Sequence, residues 1–191
     1  MEVLVSYLSM DTSHADIFQI LTLSRNLENV RVLSIYGESS MVCRKQLQAI
    51  GQNITRLNIT LEYFEDRTNE EMSVLFSGFD HEDELVGLSA CLRNAVLHSP
   101  LTVSHYTITF SHLKRGGYSS YFHHIPWKTI DSLSVRSVED VTINFLRHDS
   151  ESAVASDDKE EPYFHKEIDL AKKQLRRLQA KKVLNVTGQK V

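Results

Sequence analysis

Between Ile17 and Arg147 the chain is built of short β-rich runs, each ended by a polar turn, and this feature limits its fold more than any other. A strand leaves its backbone N–H and C=O groups unpaired until a neighbour arrives, so a succession of such runs demands a sheet. The candidate strands are Phe18–Leu23, Val30–Tyr36, Ile54–Tyr63, Met72–Phe79 and Val103–Phe110, then 118–124, 130–135 and 141–147. Alternation sends Val30, Val32 and Ser34 to one side and Arg31, Leu33 and Ile35 to the other. Ile59, Leu61 and Tyr63 likewise share a face. Met41–Ile50 reads as one or two helical turns, and Glu65–Glu71 and Asp80–Glu84 as polar turns. Short strands with few helices between them predict an all-β sandwich.

Bulk properties narrow the class. A chain of 191 residues holds one domain with tails and can bury a sizeable core. A net charge of −4 argues against a generic nucleic-acid binder. Cys43 and Cys91 are far apart and lack Cys-x-x-Cys spacing, which predicts two thiols in a reducing compartment. No apolar run is long enough to span a bilayer, and Met1–Leu8 lacks the basic start of a secretory leader. The expected home is therefore cytoplasmic. The sequons at Asn53, Asn58 and Asn185 are then read as chance matches.

Composition also marks boundaries. Residues 1–16 form an N-terminal extension, and 17–148 the main domain. Residues 149–161 are acidic and free of aromatics, as in a flexible linker. Residues 162–191 carry eight Lys/Arg against Glu167 and Asp169. Ile168, Ala171, Leu175, Leu178 and Lys182 follow three-to-four spacing there, predicting a basic C-terminal amphipathic helix. Such a helix suits a partner or an anionic surface.

The segment Tyr121-Phe-His-His-Ile-Pro-Trp-Lys-Thr-Ile-Asp-Ser-Leu-Ser-Val135, followed by Val141-Thr-Ile-Asn-Phe145, resembles the closing strands of the galectins. Leu33-Ser-Ile-Tyr-Gly37 and Arg56-Leu-Asn-Ile-Thr-Leu61 are similar to earlier strands of that family, with 39–53 as an insertion. The resemblance spans roughly 17–148. It implies a jelly-roll β-sandwich of two antiparallel sheets that binds β-galactosides through His, Asn and Arg on one strand face and a stacking Trp. Aligned on Phe79-Asp80, those groove positions fall on Val74, Phe76 and Gly78. Leu88 takes the place of the next-strand Asn, while a shifted alignment offers Arg93 and Asn94. The sole Trp, Trp127, lies inside the closing segment and not at the stacking position. The resemblance thus implies a degenerate galactoside site, with a protein or an altered glycan as ligand. It also admits a homodimer and unconventional secretion.

Nothing in the sequence argues for catalysis. There is no Gly-x-Ser-x-Gly elbow, and Lys114-Arg-Gly-Gly117 is a turn without the following helix of a phosphate loop. His123 and His124 would point to opposite faces of a strand, so no metal site or cofactor is expected. The expectation is a non-enzymatic galectin-like binding module. Two alternatives stand beside it. One is an interaction or adaptor protein in which the Leu-x-Ile strands at 33–35 and 57–61 are degenerate leucine-rich repeats, although no fixed period of that class is visible. The other is binding of anionic lipid or nucleic acid by the tail.

Overall fold

The structure is a computed structural model that describes residues 2–5, 31–36, 47, 53–63, 81–112, 119–147 and 164–190. Its strands are β1 (Glu2–Val5), β2 (Val32–Tyr36), β3 (Arg56–Tyr63), β4 (His105–His112), β5 (Asp140–Arg147) and β6 (Leu184–Lys190). Helix α1 (His81–His98) joins β3 to β4. Helices α2 (Ser119–His124) and α3 (Trp127–Asp131), with a 3-10 turn over Ser132–Val135, lead from β4 to β5. Helices α4 (His165–Gln174) and α5 (Arg176–Ala180) precede β6.

The six strands form one sheet in the order β1-β2-β3-β4-β5-β6, and every neighbouring pair is parallel. This replaces the expected jelly-roll of two antiparallel sheets. Alternating apolar residues identify a strand but are silent on the direction of its neighbour. Direction is set by the connection, and a parallel pair needs a crossover long enough to return to the same end. Helix α1 supplies one such crossover. Residues 81–84 of the expected polar turn and the sheet segment expected after it are one helix instead. Leu88, Cys91, Leu92, Ala95 and Val96 are all buried, at the three-to-four spacing that puts them on one helical face.

Residues 119–135 give the second correction. The segment behind the galectin resemblance is helical, not two strands and a corner. Pro126 sits just before α3, where its missing N–H costs nothing and its fixed φ starts a helix. Trp127 is buried, and its indole Nε1 donates to the Phe122 carbonyl at 3.0 Å. Phe122 and Trp127 pack with ring centres 4.7 Å apart beneath Phe110 and Phe145, which stack at 5.6 Å. The galectin and lectin reading loses the fold on which it stood.

The third correction concerns the C-terminus. Residues 162–191 do not form one helix. α4 and α5 are separated at Leu175, and residues 184–190 form β6. Val-, Thr- and Asn-bearing residues of β6 complete the sheet by pairing with β5, a tertiary gain larger than local helix propensity. Ala171, Leu175 and Leu178 are buried, whereas Lys182 is exposed and holds a left-handed φ of 61° at the turn into β6.

Register explains the core. Leu33, Leu57, Tyr106, Val141 and Leu184 align across the sheet, and so do Ile59, Ile108, Ile143 and Val186. A third row holds Leu61, Phe110, Phe145 and Gly188. The side chains of β3, β4 and β5 in these rows are buried and join a single core with those of the helices. At the end of the third row, a Cβ on Gly188 would overlap the Phe164 side chain, so Phe164 fills the place held by aromatic rings in β4 and β5. Strand entry repeats as well. The Arg31 carbonyl accepts from Thr55 and Arg56 N–H, that of Thr55 from Ser104 and His105, and that of Ser104 from Glu139 and Asp140, all at 2.8–3.2 Å. Strands in sequential order with repeated entry turns describe a parallel-sheet α/β array, whose apolar core among the described residues lies on the helical side.

Candidate interaction surface

The core uses alternate residues of each strand, so the residues between them form a second face. Most of its described members are polar, although Val32 and Leu146 are apolar and Ser34 and Ser111 are buried. Ser34, Asn58, Thr107, Thr142 and Asn185 share one row of the register. Thr60, Thr109, Asn144 and Thr187 share the next. Arg56, His105 and Asp140 form a charged row at the strand entries. Asn58, Thr60, Thr107, Thr109, Thr142 and Asn144 are each half-buried, as expected for side chains standing close together on a sheet.

Hydrogen bonds tie this face across the strands. Asn58 Nδ2 donates to Ser34 Oγ at 3.1 Å. Asn144 Oδ1 accepts from Thr187 Oγ1 at 2.6 Å, and Asn144 Nδ2 makes a long donation to Thr109 Oγ1 at 3.4 Å. The Asn144 amide therefore links β4 to β6 through β5. Thr142 Oγ1 donates to Asp140 Oδ2 at 2.9 Å. At the strand entries His105 Nδ1 lies 2.8 Å from Ser104 Oγ, and its Nε2 lies 3.7 Å from the Glu139 carboxylate. Ser104, His105 and Glu139 thus sit side by side at the strand entries. The Ser and His are sequence neighbours, and Glu139 is largely exposed, so the set has the geometry of a surface ion pair.

Two polar assemblies brace the array from behind. Arg136 Nη1 donates to Ser99 Oγ at 2.7 Å, to the Ser99 carbonyl at 3.2 Å and to Tyr106 Oη at 3.3 Å. Its Nη2 donates to the Leu97 carbonyl at 3.3 Å, so the guanidinium closes the C-terminal end of α1. Asp131 Oδ1 accepts from the N–H groups of Arg177 and Leu178 at 3.0 and 3.2 Å. The break at Leu175 leaves those donors without helical acceptors, and a carboxylate 46 positions earlier supplies the cap.

Of the expected groove residues, the described ones lie on α1 and not on this face. Val74, Phe76 and Gly78 lie outside the described residues. Leu88, Arg93 and Asn94 all belong to α1, with Leu88 in the core, Arg93 exposed and Asn94 half-buried. Among the described residues no cluster of His, Cys, Asp and Glu could hold a metal ion, and no described helix is long and apolar enough to cross a membrane. A small apolar cavity between α1 and the His124–Pro126 link that precedes α3, lined by residues such as Leu61, Leu92 and Phe110, is too confined for a ligand.

The polar face did have a sequence signal. Leu57-Asn-Ile-Thr-Leu61, Tyr106-Thr-Ile-Thr-Phe110, Val141-Thr-Ile-Asn-Phe145 and Leu184-Asn-Val-Thr-Gly188 repeat one pattern of apolar and Asn/Thr positions. Read as half-covered strands of one class, they give both faces. No protein-family model, curated protein or solved structure matches this chain.

Proposed function

We propose that this protein is an interaction module that docks a protein partner on the Asn/Thr face of its parallel sheet. The observation carrying this reading is the one-sided core. All-parallel sheets usually have both faces covered, whereas among the described residues β3, β4 and β5 bury one set of alternates and leave Asn58, Thr60, Thr107, Thr109, Thr142 and Asn144 of the other polar and only half-buried, with Ser111 buried and Leu146 apolar at the far end. Stacked repeats of this kind offer an extended surface on which many side chains lie in fixed register. Asn and Thr supply donors and acceptors without the desolvation cost of full charges. The cross-strand bonds of Asn58 and Asn144 hold that surface in place before a partner arrives, which lowers the entropy lost on binding.

The test is site-specific photocrosslinking in cells, with the photoreactive residue at Thr107 or Thr142, or at Arg93 on the helical side. The partner is identified from the adduct, purified and titrated against the full chain by calorimetry. Thr142→Arg is expected to weaken binding at least about tenfold, as a central interface residue does. A partner captured only from Arg93, with affinity unchanged by Thr142→Arg, overturns the proposal.

A further inference from the structure

A second surface lies away from the polar sheet face, around Arg136. This side chain ties three segments together. Its guanidinium reaches the Leu97 and Ser99 carbonyls, and its own carbonyl accepts from Lys181 Nζ at 2.6 Å. Each segment brings an exposed side chain to the outside of this junction. Leu97 is 51% exposed, Leu101 80% and Val135 79%, and Lys182 beside Lys181 is exposed too. Single exposed apolar residues are ordinary, but the Arg136 bonds bring Leu97 beside Val135, and Leu101 follows Ser99 by two positions, which gathers the three into a patch. Folding does not require them there, because each leaves most of its surface in water.

We infer that this junction binds an acidic polypeptide segment that also carries apolar side chains. The apolar contacts would fall on Leu97, Leu101 and Val135, and the acidic groups would face Lys181 and Lys182. Charge complementarity selects the sign of the partner: α5 and the turn after it add Arg176, Lys181 and Lys182, while Arg177 lies 4.0 Å from the Asp131 carboxylate. An anionic bilayer fits less well. Its flat surface would also meet Glu139, three positions beyond Arg136, whose side chain is 71% exposed. The apolar stripe of α4 and α5 is also spent, with Ala171, Leu175 and Leu178 already in the core. A peptide can follow the cations and avoid the carboxylate.

The proposal is tested by displaying random peptides against the immobilised full chain and measuring the winners, as synthetic labelled peptides, by fluorescence anisotropy. Enriched sequences are expected to combine Asp/Glu with apolar residues. Val135→Glu or Leu101→Glu should lower their affinity at least about tenfold. Lys182→Asn, which removes the charge but tolerates the left-handed backbone, should lower it less and flatten its salt dependence. Thermal melts of each variant confirm that it folds, and Thr142→Arg on the sheet face should leave peptide binding unchanged. The inference is overturned by a selection without winners, by winners lacking acidic residues, or by affinities indifferent to Val135→Glu and Leu101→Glu. Cosedimentation with phosphatidylserine vesicles that depends on Val135 overturns it in favour of a membrane.

Discussion

Asn144 and Phe145 are neighbours on β5, yet they belong to two different surfaces. Phe145 is fully buried, stacks on Phe110 and lies over the Phe122–Trp127 pair. Asn144 stands half-exposed on the opposite side and bonds Thr109 and Thr187. The same contrast runs through Ile108 and Thr109 on β4, and through Ile59 and Thr60 on β3. One face is held by apolar burial, which is non-directional and large. The other is held by hydrogen bonds, whose net contribution is small because water offers an equivalent partner. Stability therefore resides on the core side, and the polar side can be altered at low cost.

The sharpest way to break this contrast is to truncate both neighbours. Phe145→Ala should cost about 3–5 kcal/mol, read as a fall in the denaturant midpoint. Asn144→Ala should cost about 1 kcal/mol in the same titration, and equal losses would make the polar face a structural element. Between these two lies Gly188→Val, whose side chain would displace Phe164 and should cost about 1–3 kcal/mol. Asp131→Ala removes the cap of α5 and should cost about 1–2 kcal/mol, with proteolysis near 175–182 accelerated before the rest of the domain. Smallest, and opposite in sign, is Lys182→Gly. It relieves a left-handed residue and should add about 0.5–1 kcal/mol to the melting free energy.

Much of the strand content was legible and little of its arrangement. Leu57-Asn-Ile-Thr-Leu61 and Val141-Thr-Ile-Asn-Phe145 alternate cleanly and are strands. The repeat they belong to hides because its connections differ in length: Ser34 meets Asn58 after 24 positions, Thr109 meets Asn144 after 35, and Asn144 meets Thr187 after 43. A search for a fixed period fails on such a chain, while the in-register apolar positions survive it. Helix α1 was missed for a different reason. Its apolar face was read as two alternative alignments of one strand, through Leu88 or through Arg93 and Asn94, although Leu88, Leu92, Ala95 and Val96 keep helical spacing. The resemblance carried by Tyr121–Val135 rested on residue order around His124-Ile-Pro126, and the same proline that suits a corner also starts a helix.

The polar surface follows the same division. Asn58, Thr109, Thr142 and Asn144 could be found as the alternates of apolar positions, but a strand covered on both sides gives no reason to look for them. Around Arg136 there was no local signal, since Leu97, Val135 and Lys181 meet only after three crossovers are folded.

By itself the sequence determined which residues of β3, β4 and β5 turn inward, because side-chain alternation and apolar burial act over a few neighbouring positions. Only the tertiary structure decided that the strands run parallel in one sheet, with a polar face that is half-buried among the described residues. That choice depends on how crossovers of unequal length return the chain to the same edge, and on packing between residues far apart in sequence.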